Sequence, residues 1–235
     1  MNRLLVSVTD IEEALIALEC GADIIDLKNP AAGALGALPP ATLREIAGKV
    51  AGRKPVSATI GDLPMAPEQL VAAARATAQT GVDFVKIGFF GHAEHEACIA
   101  ALQSLTADGI RLVAVLFADD DPDLNLVAHL ARAGFYGVML DTAAKNGQGL
   151  RHYLSDATLG AFVAKSRAQG LLTGLAGSLS MADLDALLPL RADYLGFRGA
   201  LCAGARRTAR LERARLLHCA NALSFRAGAS RVAIA

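Results

Sequence analysis

The sequence predicts a single-domain α/β protein closed as a (β/α)₈ TIM barrel. Three observations carry the prediction. Eight short runs of strand character alternate with longer Ala- and Leu-rich segments of helical period. A helix-ending turn that feeds a strand recurs four times along the chain. A chain of 235 residues also fits eight βα units in one domain, at the smaller end of the barrel range.

The strand runs are Leu4–Val8, Asp23–Lys28, Pro55–Ile60, Phe84–Gly88, Leu112–Phe117, Gly137–Thr142, Leu171–Gly177 and Tyr194–Gly199. Most are apolar through the middle and turn polar or Gly-rich at the end, as expected of parallel strands covered on both faces. Helical segments lie between them. One spans Asp10–Gly21, with Asp10 or Thr9 as its N-cap. Pro67–Gly81, Leu124–Gly134 and Ala157–Gly170 behave similarly, each closing on a glycine. The recurring unit is ECGADIIDLK, QTGVDFVKIG and RAGFYGVMLDT, with PLRADYLGFRG carrying Arg191 in the glycine's place. A doubly wound open sheet would require a GxGxxG turn after an early strand, and the sequence has none. The barrel is assigned to residues 1–223, and the stretch 224–235 (SFRAGASRVAIA) is expected to be an irregular tail.

Composition narrows the function classes. At 53% hydrophobic residues the chain is neither disordered nor a disulfide scaffold. The formal net charge is zero, which gives no long-range attraction to nucleic acid or an anionic membrane. Cys20, Cys98, Cys202 and Cys219 form no CxxC pair and are read as reduced structural thiols. The N-terminal apolar run is only Leu4–Val8 and acidic residues follow it, so no signal peptide is expected. No run approaches the ~18 apolar residues a membrane span needs. The expected location is the cytoplasm.

In a barrel of this kind the active site gathers at the C-terminal ends of the strands. The polar residues falling there are Asp26 and Lys28, Asp62, Lys86, Asp119, Asp141 with Thr142 and Lys145, Gly177-Ser178, and Arg198-Gly199-Ala200. Side chains repeat every two residues along a strand, so Asp26 and Lys28 share a face. Lys28 and Lys86 lie inside otherwise apolar segments, where lysine is rarely found without a reason. A lysine that burial or a neighbouring cation makes partly neutral can attack a carbonyl, and a second lysine can shuttle protons. Asp26 and Asp141 are candidates to hold the lysines or to act as acid and base.

Small residues at Gly177-Ser178 and Gly199-Ala200 let backbone amides approach an anion, and Arg198 could add charge to such a phosphate site. Asp62 and Asp119 read as capping or turn residues. His92-Ala-Glu-His95-Glu lacks a third ligand at a recognisable spacing, so no metal is assigned. Asp119–Asp123 reads as solvated charge leading into a helix. Arg206, Arg207, Arg210, Arg213 and Arg215 read as a basic helical stretch for a surface or subunit contact.

The stretches DLKNPAAGALG (Asp26–Gly36), SATIGDLP (Ser57–Pro64), VKIG (Val85–Gly88), MLDTAAKNG (Met139–Gly147), LAGS (Leu175–Ser178) and GFRGALC (Gly196–Cys202) together resemble the (5-formylfuran-3-yl)methyl phosphate synthase family, the furan-forming enzymes of methanofuran biosynthesis. The resemblance covers most of the chain. It implies a TIM barrel and a lyase that uses glyceraldehyde 3-phosphate twice, losing phosphate and water. It implies Lys28 as the Schiff-base lysine and Lys86 as the acid/base lysine. Asp26, Asp141 and Lys145 match polar residues of the same pocket. No metal or organic cofactor is implied. After Cys202, AGARRTARL departs from the Gly- and Asp-containing pattern expected there.

Two other readings use the same residues. One is a different aldolase or isomerase acting on a single sugar phosphate. The other is a non-catalytic barrel that binds a sugar phosphate. The partner expected is a small phosphorylated aldehyde, with self-association into a homo-oligomer.

Overall fold

The computed structural model describes residues 2–144 and 146–232. It is a closed eight-stranded parallel barrel in which each strand pairs with its sequence neighbours and β8 pairs with β1. In chain order the elements are β1 (Arg3–Val8), α1 (Ile11–Glu19), β2 (Ile24–Leu27), α2 (Pro40–Val50), β3 (Val56–Thr59), α3 (Pro67–Ala78), β4 (Phe84–Phe89) and α4 (His95–Ala107). There follow β5 (Leu112–Phe117), α5 (Leu126–Arg132), β6 (Gly137–Asp141), α6 (Leu150–Tyr153), α7 (Asp156–Ala168), β7 (Leu172–Leu175), α8 (Leu184–Leu187), β8 (Tyr194–Phe197) and α9 (Arg213–Val232). Each expected strand forms. Among the described residues no helix is long and apolar enough to cross a membrane.

The recurring unit has a physical basis at the N-terminal rim. Asp23, Asp83 and Asp193 each stand one residue before an even-numbered strand. Each accepts a hydrogen bond from an opening amide of the preceding strand: Leu4 N at 2.9 Å, Val56 N at 2.8 Å and Thr173 N at 2.8 Å. These carboxylates fix the register of each strand pair. Before β6 the position is Tyr136, whose ring stacks on Phe84 at 5.1 Å beneath the Arg111 guanidinium. Tyr136 N still donates to Leu112 O at 2.8 Å.

The C-terminal rim is tied differently. Asp62 accepts from Ala34 N and Leu35 N, both at 2.7 Å, and so fastens the loop after β2 to the loop after β3. Asp119 accepts from Ala143 N (2.7 Å) and Ala144 N (2.6 Å), and Asp120 from Gly91 N (2.7 Å). The expectation of solvated charge at Asp119–Asp123 is corrected at these two positions. Both carboxylates satisfy backbone amides that a tight loop would otherwise leave unpaired.

Two apolar shells make the core. One fills the space between strands and helices, with Val6, Leu27, Ile87, Leu140 and Leu195 fully buried in it. The other fills the barrel, with Leu5, Ile24, Phe84, Val115, Met139 and Tyr194. All four cysteines are buried. Burial pushes the Cys202 thiol up to about 11 and the Cys219 thiol up to about 12, far from the thiolate a nucleophile needs.

Helix α9 runs through Val232, so residues 224–232 are helical where an irregular tail was expected. The stretch contains no proline and one glycine, and its alanines and arginines favour a helix once α9 is under way. At the other end the basic stretch is only partly helical, because Arg206, Arg207 and Arg210 precede α9 in the loop after β8.

Gly174 in β7 is dictated by packing. A Cβ there would lie 2.2 Å from Cζ of the fully buried Tyr194, whose hydroxyl donates to Met139 Sδ at 3.4 Å. Substitution Gly174→Ala overpacks the barrel and is expected to lower stability by roughly 3 kcal/mol. Urea unfolding of the variant against the wild type measures this.

Candidate active site

Strand register builds the centre of the site. Ser7 of β1 pairs with Asp26 of β2, and Asp26 pairs with Ser57 of β3. All three therefore sit at one level, and alternation turns them to one face. Ser7 Oγ donates to Asp26 Oδ2 at 2.9 Å, and Ser57 Oγ donates to Asp26 Oδ1 at 2.6 Å. Lys86 Nζ reaches the same Oδ1 at 3.0 Å from β4. Asp26 has no exposed surface and Lys86 is 2% exposed. Burial alone would raise the Asp26 pKa, but Lys86, Lys28 and the Ser57 hydroxyl outweigh it and hold the carboxyl below its usual range.

Above this level opens a cavity of about 480 Å³. Lys28, one residue past the end of β2, lines it and is 8% exposed. Its Nζ lies 3.9 Å from Oδ2 of Asp141, the last residue of β6. Asp141 is oriented in turn, because Thr142 N donates to its Oδ1 at 2.7 Å. Lys86 reaches the cavity floor, whereas Asp26 lies beneath it and is absent from its lining. Asp26 is thus placed to hold Lys86 rather than to meet a ligand. Lys145 lies outside the described residues.

The opposite wall comes from the loops after β7 and β8. Gly177, Ser178, Gly199 and Ala200 all line the cavity. Gly177 at φ 106° and Ser178 at φ 49° make a tight left-handed turn. A Cβ on Gly177 would lie 2.9 Å from Thr142 Cγ2, so glycine is needed on both steric and conformational grounds. Among the described residues no acceptor is found for the amides of Ser178, Gly199 and Ala200. The two loops therefore leave amides without a protein acceptor among residues that line the cavity.

Arg198 requires a correction. It borders the cavity, but its guanidinium is spent on the protein. Nε donates to Arg207 O (2.8 Å), Nη1 to Ser7 O (3.1 Å) and to Glu13 Oε2, and Nη2 to Glu13 Oε1 (3.2 Å) and Ala209 O (2.8 Å). A guanidinium has five N–H donors, and five hydrogen bonds use them. Its partner Glu13 is 2% exposed and also accepts from Thr9 N at 3.0 Å and Leu211 N at 2.9 Å. Arg198 is a latch between α1, the end of β8 and the following loop, and none of its donors is left for the phosphate role assigned to it.

Sequence reasoning missed Ser7, Arg206, Arg207 and Thr208, all of which line the cavity. The arginines lie in the loop that follows β8, where a barrel binds anions, and that position was the available signal. His95 opens α4, with Nε2 3.3 Å from Phe90 O and its ring against Phe89. Among the described residues no group of three metal-ligating side chains assembles.

Fold and site together define a (β/α)₈-barrel enzyme with two buried lysines and two carboxylates at the C-terminal ends of its strands. The family model described as 4-HFC-P synthase matches residues 4–220. The chain belongs to that family. A relative from Methylorubrum extorquens is 47% identical over 221 residues, covering 94% of this chain and 91% of its own. The (5-formylfuran-3-yl)methyl phosphate synthase of Methanopyrus kandleri is 40% identical over 213 residues, covering 85% of this chain and 89% of its own. Among solved structures, phosphoribosyl anthranilate isomerase from Thermotoga maritima superposes with a TM-score of 0.69 at 16% identity, over 95% of this chain and 100% of that one. Deoxyribose phosphate aldolase from Aeropyrum pernix gives 0.61 at 14% identity, over 94% and 90%. These two likenesses establish the fold.

The buried ion pairs set the acid limit of the structure. Burial works to raise the Glu13 pKa from its ordinary 4.5, but Arg198 and the Leu211 and Thr9 amides bring it below that value. Asp26 is likewise depressed from 3.8. A carboxyl depressed by folding adds stability that is fully present above its unfolded pKa and is lost as pH falls through the folded value. The urea midpoint is therefore expected to hold near neutral pH and to fall steadily from about pH 4.5 downward. Glu13→Gln leaves Arg198 buried without its counter-charge. It is expected to cost roughly 3 kcal/mol at pH 7 and to flatten the upper part of that acid dependence. Urea titrations across the pH range on both proteins measure the two effects.

Proposed function

We propose that the chain condenses two molecules of glyceraldehyde 3-phosphate through a Schiff base on Lys28, giving (5-formylfuran-3-yl)methyl phosphate. The observation that carries this reading is the pairing of Lys28 and Lys86, both nearly buried, on one cavity with a carboxylate beside each. Membership of the 4-HFC-P synthase family supports the product, and the names of relatives such as that from Methanopyrus kandleri point the same way.

The chemistry follows from the groups. The Lys28 amine adds to the aldehyde carbon of one substrate, and loss of water gives an imine. The protonated imine withdraws electrons from the adjacent carbon, so its C–H bond yields a proton more readily. Lys86 and Asp141 border the same space and are the candidates to take and return protons there. The resulting enamine expels phosphate from the carbon one position further along, which leaves an enol on the imine. The terminal carbon of that enol attacks the central carbonyl of the second triose phosphate, once that molecule has tautomerised from aldehyde to ketone, forming the carbon–carbon bond. Ring closure and dehydration complete the furan, and hydrolysis of the imine frees Lys28. Two triose phosphates balance one furan aldehyde phosphate, one inorganic phosphate and two waters. No external oxidant or reductant is needed.

Held at Asp26, Lys86 is a tethered ammonium whose neighbour Ser57 also binds the carboxylate. Asp26 acts here as a positioning residue. The amides of Ser178, Gly199 and Ala200 are suited to the phosphate retained in the product, since preorganised donors bind an anion without reorganisation.

The reading predicts that the purified protein converts glyceraldehyde 3-phosphate to a furan aldehyde phosphate, observed by mass and by ultraviolet absorbance, with release of inorganic phosphate. Lys28→Ala is expected to abolish product, and Lys86→Ala to lower kcat by about a hundredfold or more. Conversion of the substrate to a single isomer, with no phosphate released, would overturn the reading.

A further inference from the structure

We propose that Arg207 is the cationic grip for a substrate phosphate in this cavity and sets the preference for phosphorylated over unphosphorylated aldehydes. The inference rests on the reading above and deepens it by naming the residue that selects the substrate class.

Electrostatics demands such a group. A phosphate ester carries close to two negative charges near neutral pH and takes strong charge-assisted hydrogen bonds. The described cations bordering the cavity are Lys28, Lys86, Arg198, Arg206 and Arg207. Lys86 is bound to Asp26, and the five donors of Arg198 are occupied. Lys28 must shed its proton to act as a nucleophile, and a phosphate held against it would oppose that. The amide cradle of the loops after β7 and β8 contributes dipoles but no net charge. Arg206 is exposed and Arg207 half-buried.

Position favours Arg207. Its backbone is pinned, since its carbonyl accepts from Arg198 Nε at 2.8 Å. Its own N and Cβ lie 3.8 Å from where a Cβ on Gly199 would stand, so the residue runs alongside the amide cradle. Its Nη2 donates to Gly33 O at 2.6 Å, in the loop after β2 that Asp62 holds through Ala34 and Leu35. That is the loop that follows Lys28. Arg207 thus spans from the anion cradle to the nucleophile's side of the cavity mouth.

The Gly33 carbonyl is fixed. Gly33 sits at φ 120°, where a Cβ would meet Asp62 Oδ2 at 2.0 Å. One hydrogen bond to that carbonyl is the only one the Arg207 guanidinium makes among the described residues, and no carboxylate there is in ion-pair contact with it. Burial opposes its charge, and Asp141 and Asp62 act on it from a distance. A half-buried guanidinium with donors to spare, beside an amide cradle, fits an incoming phosphate. The planar fork then binds two phosphate oxygens at once.

Two measurements on the intact protein test the proposal. Inorganic phosphate binding is read by calorimetry and by its rise in melting temperature, which needs no turnover. Steady-state kinetics with glyceraldehyde 3-phosphate gives KM and kcat separately. Arg207→Ala is expected to weaken phosphate binding and to raise KM by about tenfold or more, with a smaller change in kcat. Arg207→Lys should recover part of the loss, because it keeps the charge but not the fork. Arg210→Ala is the control, an exposed arginine of the same loop paired with Glu12. It should leave phosphate binding as in the wild type. Melting curves establish that each variant folds, and Arg207→Gln serves if the alanine variant does not. Wild-type phosphate binding that persists in a folded Arg207 variant would overturn the inference, as would a wild type that binds no phosphate. Absence of furan product while Arg207-dependent phosphate binding remains would count against the function reading alone.

Discussion

Asp26 is the constraint from which the site follows. It is a carboxylate with no exposed surface, inside the barrel on β2, and an ion so placed is tolerated only when paired and hydrogen-bonded. The register of β1, β2 and β3 supplies two serine hydroxyls, and β4 supplies the Lys86 ammonium. Closure of the sheet brings Asp141 on β6 to within 3.9 Å of Lys28. The interior is therefore apolar among Ile24, Phe84 and Tyr194 and carries charge toward the C-terminal ends of the strands, where the cavity opens. Two lysines share one space in different states of restraint. One is bound to a fully buried carboxylate, and the other stands at a strand end beside the cavity.

The rest of the rim divides by chemistry. Strands β2, β4 and β6 contribute the amines and carboxylates, while the loops after β7 and β8 contribute small residues and amides. The Glu13–Arg198 pair holds these halves together. It ties α1 to the end of β8 and, through Arg207 O and Ala209 O, fixes the loop that closes the barrel's last gap. Carboxylates recur in the same office around both rims. Asp23, Asp83 and Asp193 set strand register below, and Asp62, Asp119 and Asp120 tie neighbouring loops above.

The barrel was legible in the sequence because its signals are local. Apolar runs, helix-ending glycines and a recurring unit are each readable within a dozen residues. Lys28 and Lys86 were legible for the same reason, as charges inside apolar runs. Ser7 and Ser57 were not, since a serine in a strand carries no signal until register places it beside a carboxylate. Arg198 was misread because an arginine at a strand end looks the same whether it faces a ligand or a glutamate 185 residues away. The acidic loop was misread in like manner. Asp119 meets the amides of residues 24 and 25 positions further on, across two adjacent βα loops. Arg207 was hidden by its arginine-rich surroundings, of which only Arg213 and Arg215 belong to α9.

The central claim is that Lys28, and not its better-buried neighbour, becomes the covalent nucleophile, while Lys86 stays bound to Asp26. Borohydride reduction in the presence of glyceraldehyde 3-phosphate, followed by intact mass and peptide mapping, addresses it directly. The account predicts one reduced adduct, on Lys28, lost in Lys28→Ala and retained in Lys86→Ala. An adduct on Lys86 in the wild type, or substrate turnover with no adduct on any lysine, would contradict it.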